Sequence, residues 1–365
     1  MSAKPPPITT GTAAALLVIY TFIYVVPFYL SSKTRPSRTL SRDAPSVIRA
    51  RITSVSLTCI VCSIITLVIL TSEGRASYGE ALHSMGYWPV GLVETVKSLL
   101  LTAILFSGPL YETLVVDGAW RDWFSLQPVS QLFSEWTMWR NIVAQREEKR
   151  GERTKINKQS LKNNNNKQTK HGLHAKTRKF SSSKNDKQKQ GPFTEEVLFR
   201  SASVPLMLVA RTSVARTVFL SPVIFGLAHF HHFYEFRLSH PRVPVAAGLL
   251  RSLVQLAYTS LFGAYATFLF LRSGSLLAIF AVHAFCNVMG LPRFWGRVEP
   301  PLPPSSSSQY HDSSVDDDGD GNSNKRPSIL WSVAYYVLLV GGAAAWWTYL
   351  GPLTESANAL VPVDI

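Results

Sequence analysis

The chain has 365 residues, of which 46% are hydrophobic and only 16% charged, yet its formal net charge is +14. Soluble domains carry about 25% charged residues, so charge this sparse and this one-sided has to be concentrated. Residues 146–190 hold fifteen Lys/Arg against four Asp/Glu, most of the excess, which excludes a uniformly basic nucleic-acid-binding domain. Three cysteines are too few for a disulfide scaffold. Cys59 and Cys62 lie in one apolar run with no second C-x-x-C, so they and Cys286 read as small packing residues rather than a redox or zinc pair.

A membrane-crossing helix needs roughly 20 mostly apolar residues. In chain order the predicted spans are 11–30, 52–71, 88–111, 193–210, 213–232, 243–271, 275–291 and 329–350. The expected fold is therefore all-α, a polytopic integral membrane helix bundle of about eight transmembrane helices. The first span is not read as a cleaved leader, because only Lys4 precedes it, basic residues follow it, and no small-residue cleavage site stands out. Loop 31–51 carries Lys33, Arg35, Arg38, Arg42, Arg49 and Arg51 against Asp43 alone, and the positive-inside rule makes it cytosolic. Alternating from there, loop 72–87 faces outward. The basic loops 112–192, 234–242 and 292–328 all fall on the cytosolic side, with both termini on the other.

Between these spans the composition changes. Residues 120–140 interleave Trp120, Trp123, Trp136 and Trp139 with charges, as an interfacial segment does. Residues 146–191 are rich in Lys, Asn, Gln and Ser, cannot bury a core, and read as a disordered cytosolic insertion. Residues 292–328 read as a Pro/Ser/Asp-rich linker. Asp316, Asp318, Asp320 and Gly321 start like a calcium loop, but Pro327 stands where the bidentate Glu is required. The expected divisions are 1–145 (N-terminal spans and interfacial segment), 146–191 (insertion), 192–291 (catalytic core), 292–328 (linker) and 329–365 (last span and tail).

Ionisable groups inside spans are expensive and point to function. Three clusters stand out. In Glu195-Glu196-Val197-Leu198-Phe199-Arg200 the spacing of four puts Glu196 and Arg200 on one helix face, where they can pair. Glu195 points about 140° away from Arg200 and is left to act as a general base. In Phe225-Gly226-Leu227-Ala228-His229-Phe230-His231-His232, His229 and His232 share a face and His231 points elsewhere. Three histidines suggest a base, a metal ligand or both, with His229 the first candidate. His231 and His232 either join the site or cap the span near water. In His283-Ala284-Phe285-Cys286-Asn287 the spacing aligns two hydrogen-bond donors, as an oxyanion hole needs. The predicted topology places Glu195, His229, His283 and Asn287 on three helices, all in the cytosolic half of the bilayer.

These motifs, Glu195-Glu196-x-x-x-Arg200, Phe225-x-x-x-His229 and His283-x-x-x-Asn287 in that order, resemble the CAAX prenyl protease 2 family, the type II CAAX endopeptidases or Ras-converting enzymes. The resemblance implies an enzyme of the endoplasmic reticulum membrane, its active site facing the cytosol. It would remove the last three residues (aaX) from prenylated CAAX proteins such as Ras-like GTPases. Its partners would be those substrates and membrane lipid, with no nucleic acid. Glu195 and His229 would activate water, His283 and Asn287 would stabilise the oxyanion, and Glu196 and Arg200 would support them. No cofactor is expected. Zinc is an acceptable alternative on the donor types but is disfavoured because H-E-x-x-H is missing. A non-enzymatic scaffold or transporter is the competing class.

Overall fold

The computed structural model describes residues 5–32, 34–35, 45–118, 120, 192–300 and 328–362. The interfacial segment expected after Trp120, the basic insertion, and residues 301–327 of the linker with its calcium-like aspartates lie outside the described residues. Among these residues there are helices and no strands.

In chain order they are α1 (Thr10–Val25), α2 (Pro27–Leu30), α3 (Pro45–Ser72), α4 (Tyr78–Ser84), α5 (Leu92–Leu105) and α6 (Ser107–Tyr111). A π-helical turn follows at Glu112–Val116. After the undescribed stretch, residues 192–196 are helical and run into a second π-helical turn, Val197–Ala202. Then come α7 (Val204–Val209), α8 (Val214–Ala228), α9 (His231–Ser239), α10 (Val245–Ser273), α11 (Leu276–Met289) and α12 (Leu330–Thr354). Local chemistry sets several ends. Thr9 caps α1 by accepting from Thr12 N–H, and Ser275 caps α11 by accepting from Ala278 N–H at 3.1 Å. Gly274, at φ 57°, stops α10 in the left-handed conformation that glycine adopts without strain.

Five described helices are long and apolar enough to cross a membrane, at Thr10–Leu30, Ala50–Ser72, Val214–Leu238, Val245–Ser273 and Leu330–Thr354. A sixth follows if Leu92–Leu105 and Ser107–Val116 count as one broken span. The protein is thus a multi-pass helical membrane protein, and among the described residues two of the expected spans do not form long helices. Segment 193–210 breaks into a π turn and the six-residue α7. The 14 residues of α11 extend only about 21 Å at 1.5 Å per residue, short of a hydrocarbon core of about 30 Å.

The chain separates into two units. The first comprises Met1–Ser107, Ser182–Arg293 and Leu338–Ile365, and the second Gly108–Ser181 and Phe294–Val337. In the second, Val298 N–H donates to Ser332 Oγ at 2.9 Å and Tyr336 O–H to the Gly296 carbonyl at 2.9 Å. The first carries the core. Tyr20, Cys59, Cys62, Leu198, Met207 and Phe225 form one buried cluster, and Leu101, Ala266, Phe270, Ile279 and Val282 another. The cysteines are free thiols, with Cys59 and Cys62 buried, as expected of packing residues. Large apolar side chains such as Phe22, Leu57, Leu261 and Trp347 stay exposed along the long helices, which is the surface that lipid covers.

α8 and α10 pack against each other over their length because small residues let them approach. A Cβ at Gly263 would lie 2.6 Å from Pro222 Cβ and 3.1 Å from Arg200 Nη2. Gly263→Ala therefore overpacks this crossing. We expect it to cost about 1–3 kcal/mol, read as a lower unfolding temperature of the purified protein. Gly341→Ala, where the added methyl meets nothing within 4 Å, should leave that temperature unchanged.

Candidate active site

The site is assembled in the first unit from the segment around the π turn, the end of α8, the middle of α10 and the later half of α11. Glu196 and Arg200 flank the first part of the π turn, and both are buried almost completely. Arg200 Nη1 donates to Glu196 Oε1 at 3.1 Å, the pairing that the four-residue spacing predicted. Arg200 Nη2 donates to the Gly263 carbonyl on α10 at 3.3 Å, and its guanidinium stacks 4.9 Å from the Phe225 ring centroid on α8. One cation thus ties three segments together. A buried ion pair gives little net stability, but removing one partner strands the other charge, at about 3–5 kcal/mol.

His283 comes from α11 and lies between both glutamates. Its Nδ1 is 2.6 Å from Glu196 Oε1, and its Nε2 is 3.9 Å from Glu195 Oε2. A carboxylate paired with Arg200 is acceptor-only, so Nδ1 carries the hydrogen and Nε2 faces Glu195. The ring rests on Phe262 at 4.6 Å. Glu195 keeps 20% of its side chain exposed where Glu196 keeps none, so neighbouring acids have opposite circumstances. One is locked in a structural pair and the other reaches solvent. The 3.9 Å gap is too long for a direct hydrogen bond. It admits an oxygen beside the line joining the two atoms, about 2.8 Å from each, which is where a water would be polarised.

His229 caps α8 at its C-terminal end. Its Nδ1 lies 3.2 Å from the Phe225 carbonyl, which can only accept, so the hydrogen is on Nδ1 and the Nε2 lone pair is available. Its ring meets the Phe225 ring edge-on at 4.7 Å. Phe225 is therefore the partition between His229 and Arg200. Asn287 lies one helical turn beyond His283 on α11 and is half-buried, the placement its spacing predicted.

The other two histidines sit differently from the helical reading. His231 does not point away from His232, since their ring centroids are 4.0 Å apart. The reason is a tight turn between α8 and α9. His229 N–H donates to Gly226, Phe230 N–H to Leu227 and His232 N–H to His229, three-residue steps that invalidate a 3.6-residue wheel. His229 and His232 are neighbours as expected, with ring centroids 5.8 Å apart. Sequence reading passed over Glu235, which is buried, bonds His232 Nδ1 at 3.2 Å through Oε2, and pairs through Oε1 with Arg51 of α3 at 2.7 Å. A carboxylate three residues after His232 in an aromatic run was the available signal. Arg51 had been counted only among the basic residues of a loop.

Fold and site together define a multi-pass, all-helical membrane protein in which Glu195, Glu196, Arg200 and His283 meet. The model of the type II CAAX prenyl endopeptidase Rce1-like family matches residues 190–289, which contain every motif above. The chain is 35% identical over 279 residues to the probable CAAX prenyl protease 2 of Schizosaccharomyces pombe, covering 76% of this chain and 81% of that protein. It is 30% identical over 274 residues to the CAAX prenyl protease 2 of Homo sapiens, covering 72% and 67%. It is 50% identical over 101 residues to that of Arabidopsis thaliana, covering 28% and 32%. No solved structure matches the chain. The chain belongs to the type II CAAX prenyl endopeptidase Rce1-like family. Membership makes it a membrane endopeptidase of CAAX processing.

Proposed function

We propose that the protein cleaves the C-terminal tripeptide from prenylated CAAX proteins such as Ras-like GTPases, at a site open to the cytosol in the endoplasmic reticulum membrane. The observation that carries the mechanism is the contrast around His283. A solvent-reachable glutamate stands 3.9 Å from one ring nitrogen, and a fully buried glutamate holds the other at 2.6 Å. Water bound between Glu195 and His283 loses a proton to Glu195, assisted by the Nε2 lone pair of His229, as its oxygen attacks the scissile carbonyl. The oxyanion accepts hydrogen bonds from the Asn287 amide and from Nε2 of a doubly protonated His283, which enters and leaves the cycle with both ring hydrogens. Glu196, facing Nδ1, offsets the positive charge this asks of the ring. Collapse breaks the C–N bond, and the proton held at Glu195 passes to the leaving amine. The products are a free tripeptide and a new carboxylate on the prenylated cysteine.

The cytosolic orientation rests on the basic loops that share one side of the predicted topology. The reading without a metal rests on the missing H-E-x-x-H helix pattern. The test is cleavage of a farnesylated CAAX peptide by the purified, detergent-solubilised protein after exhaustive chelation. Undiminished release of the tripeptide is expected. Activity that disappears with the chelator and returns with zinc would transfer the water-activating role to a metal, and no cleavage in any folded sample would remove the substrate assignment.

A further inference from the structure

The hydrolytic mechanism leaves three ligand-type side chains unused at the start of α9. His231, His232 and Glu235 each offer a donor atom, and these atoms all lie within 4.8 Å of one another. We infer that they form a binding site for a zinc-type divalent transition-metal ion, separate from the water-activating residues.

Three features of the geometry suit a metal. First, His232 Nδ1 and Glu235 Oε2 are 3.2 Å apart. Two ligands about 2.0–2.1 Å from a tetrahedral zinc stand about 3.3 Å from each other, so this edge is already set at coordination length. Second, His231 Nδ1 lies 2.5 Å from the Ala228 carbonyl. That bond fixes the hydrogen on Nδ1 and leaves the Nε2 lone pair as the donor His231 would supply, with the outer support that metal-binding histidines use. Third, Glu235 is held by its other oxygen, 2.7 Å from Arg51 Nη2. Its Oε2 already bonds His232 Nδ1 at 3.2 Å, and a metal would replace that hydrogen bond and take Oε2 as a single-oxygen ligand. The His232 side chain is 28% exposed, which leaves an entry path and room for a water as fourth ligand.

The donor set of two imidazoles and one carboxylate selects zinc, cobalt, nickel or copper over calcium and magnesium, which prefer all-oxygen shells. When the ion binds, the His232 hydrogen moves from Nδ1 to Nε2, so the ring stays neutral and no proton is lost. The Arg51 cation nearby opposes a second positive charge, which places the affinity below that of closed four-ligand zinc sites.

The experiment uses the full-length protein in detergent, stripped with chelator and titrated with cobalt(II) followed by absorption, then with zinc against a chelating indicator. One equivalent is expected to bind to the wild type. His231→Asn leaves the Arg51–Glu235 pair intact and is expected to lower the affinity by at least about tenfold, with the metal-free unfolding temperature unchanged. Glu195→Gln and His283→Asn should bind as the wild type does. No binding by the wild type, binding undiminished in His231→Asn, or binding lost in Glu195→Gln or His283→Asn would each overturn the assignment. Cleavage of the prenylated peptide in the stripped protein is measured in parallel, so failure of the metal site is distinguishable from failure of the protease mechanism.

Discussion

Glu195→Gln is expected to lower kcat for a farnesylated CAAX peptide by about 10²–10⁴-fold, the range of a lost general base, while KM changes little. The amide keeps the volume of the carboxylate but cannot take a proton from water. Glu195 sits 3.9 Å from His283, beyond hydrogen-bond length, and is 20% exposed, so its replacement strands no buried partner. The unfolding temperature should therefore stay near that of the wild type, and the loss should appear in the single-turnover rate. A Glu195→Gln protein that keeps the wild-type rate would remove this residue from the chemistry. Replacing the adjacent acid should lower stability as well as activity, because Glu196 is fully buried against Arg200 and His283.

That contrast leads to the largest expected effect on stability. Arg200→Met deletes the cation that neutralises Glu196, donates to Gly263 and stacks on Phe225. Breaking a buried pair from one side costs about 3–5 kcal/mol, a large share of the 5–15 kcal/mol that separates folded from unfolded domains. Thermal unfolding in detergent should show it, together with reduced accumulation of the protein. The double variant Glu196→Leu, Arg200→Met replaces both charges with apolar groups and should recover most of the stability, since such exchanges are often neutral or better. It should remain inactive, because His283 Nδ1 then has lost its carboxylate. Stability of Arg200→Met equal to wild type would refute the account of the pair, and activity in the double variant would refute the role given to Glu196.

How much of this was readable beforehand differs by element. The Glu196–Arg200 pair was legible because both residues share one short helical segment and spacing alone brings them together. The placement of His283 against that pair, 87 residues on, came only from motif order and a topology that put both in the same half of the bilayer. Segments 193–210 and 275–291 were read as spans from hydropathy, which records composition and not the π turn at Val197–Ala202 or a helix of 14 residues. Arg51 and Glu235 were not legible as partners, since 184 positions separate them and each has an ordinary reading alone. The orientation of His231 failed where the backbone leaves the α-helical step.

The π-helical turn at Val197–Ala202 makes chain length itself part of the catalytic arrangement. Such a turn holds one residue more than an α-helical turn. Deleting Ser201 or Ala202 from it would let the backbone relax into ordinary helix with Glu195, Glu196 and Arg200 all still present. Relative to α7, which is anchored in the core by Leu206 and Met207, everything upstream would then rotate by about 100°. Glu195 and Glu196 would swing away from α11 together, so a frame-preserving loss of one codon here would silence the enzyme as thoroughly as losing a catalytic residue.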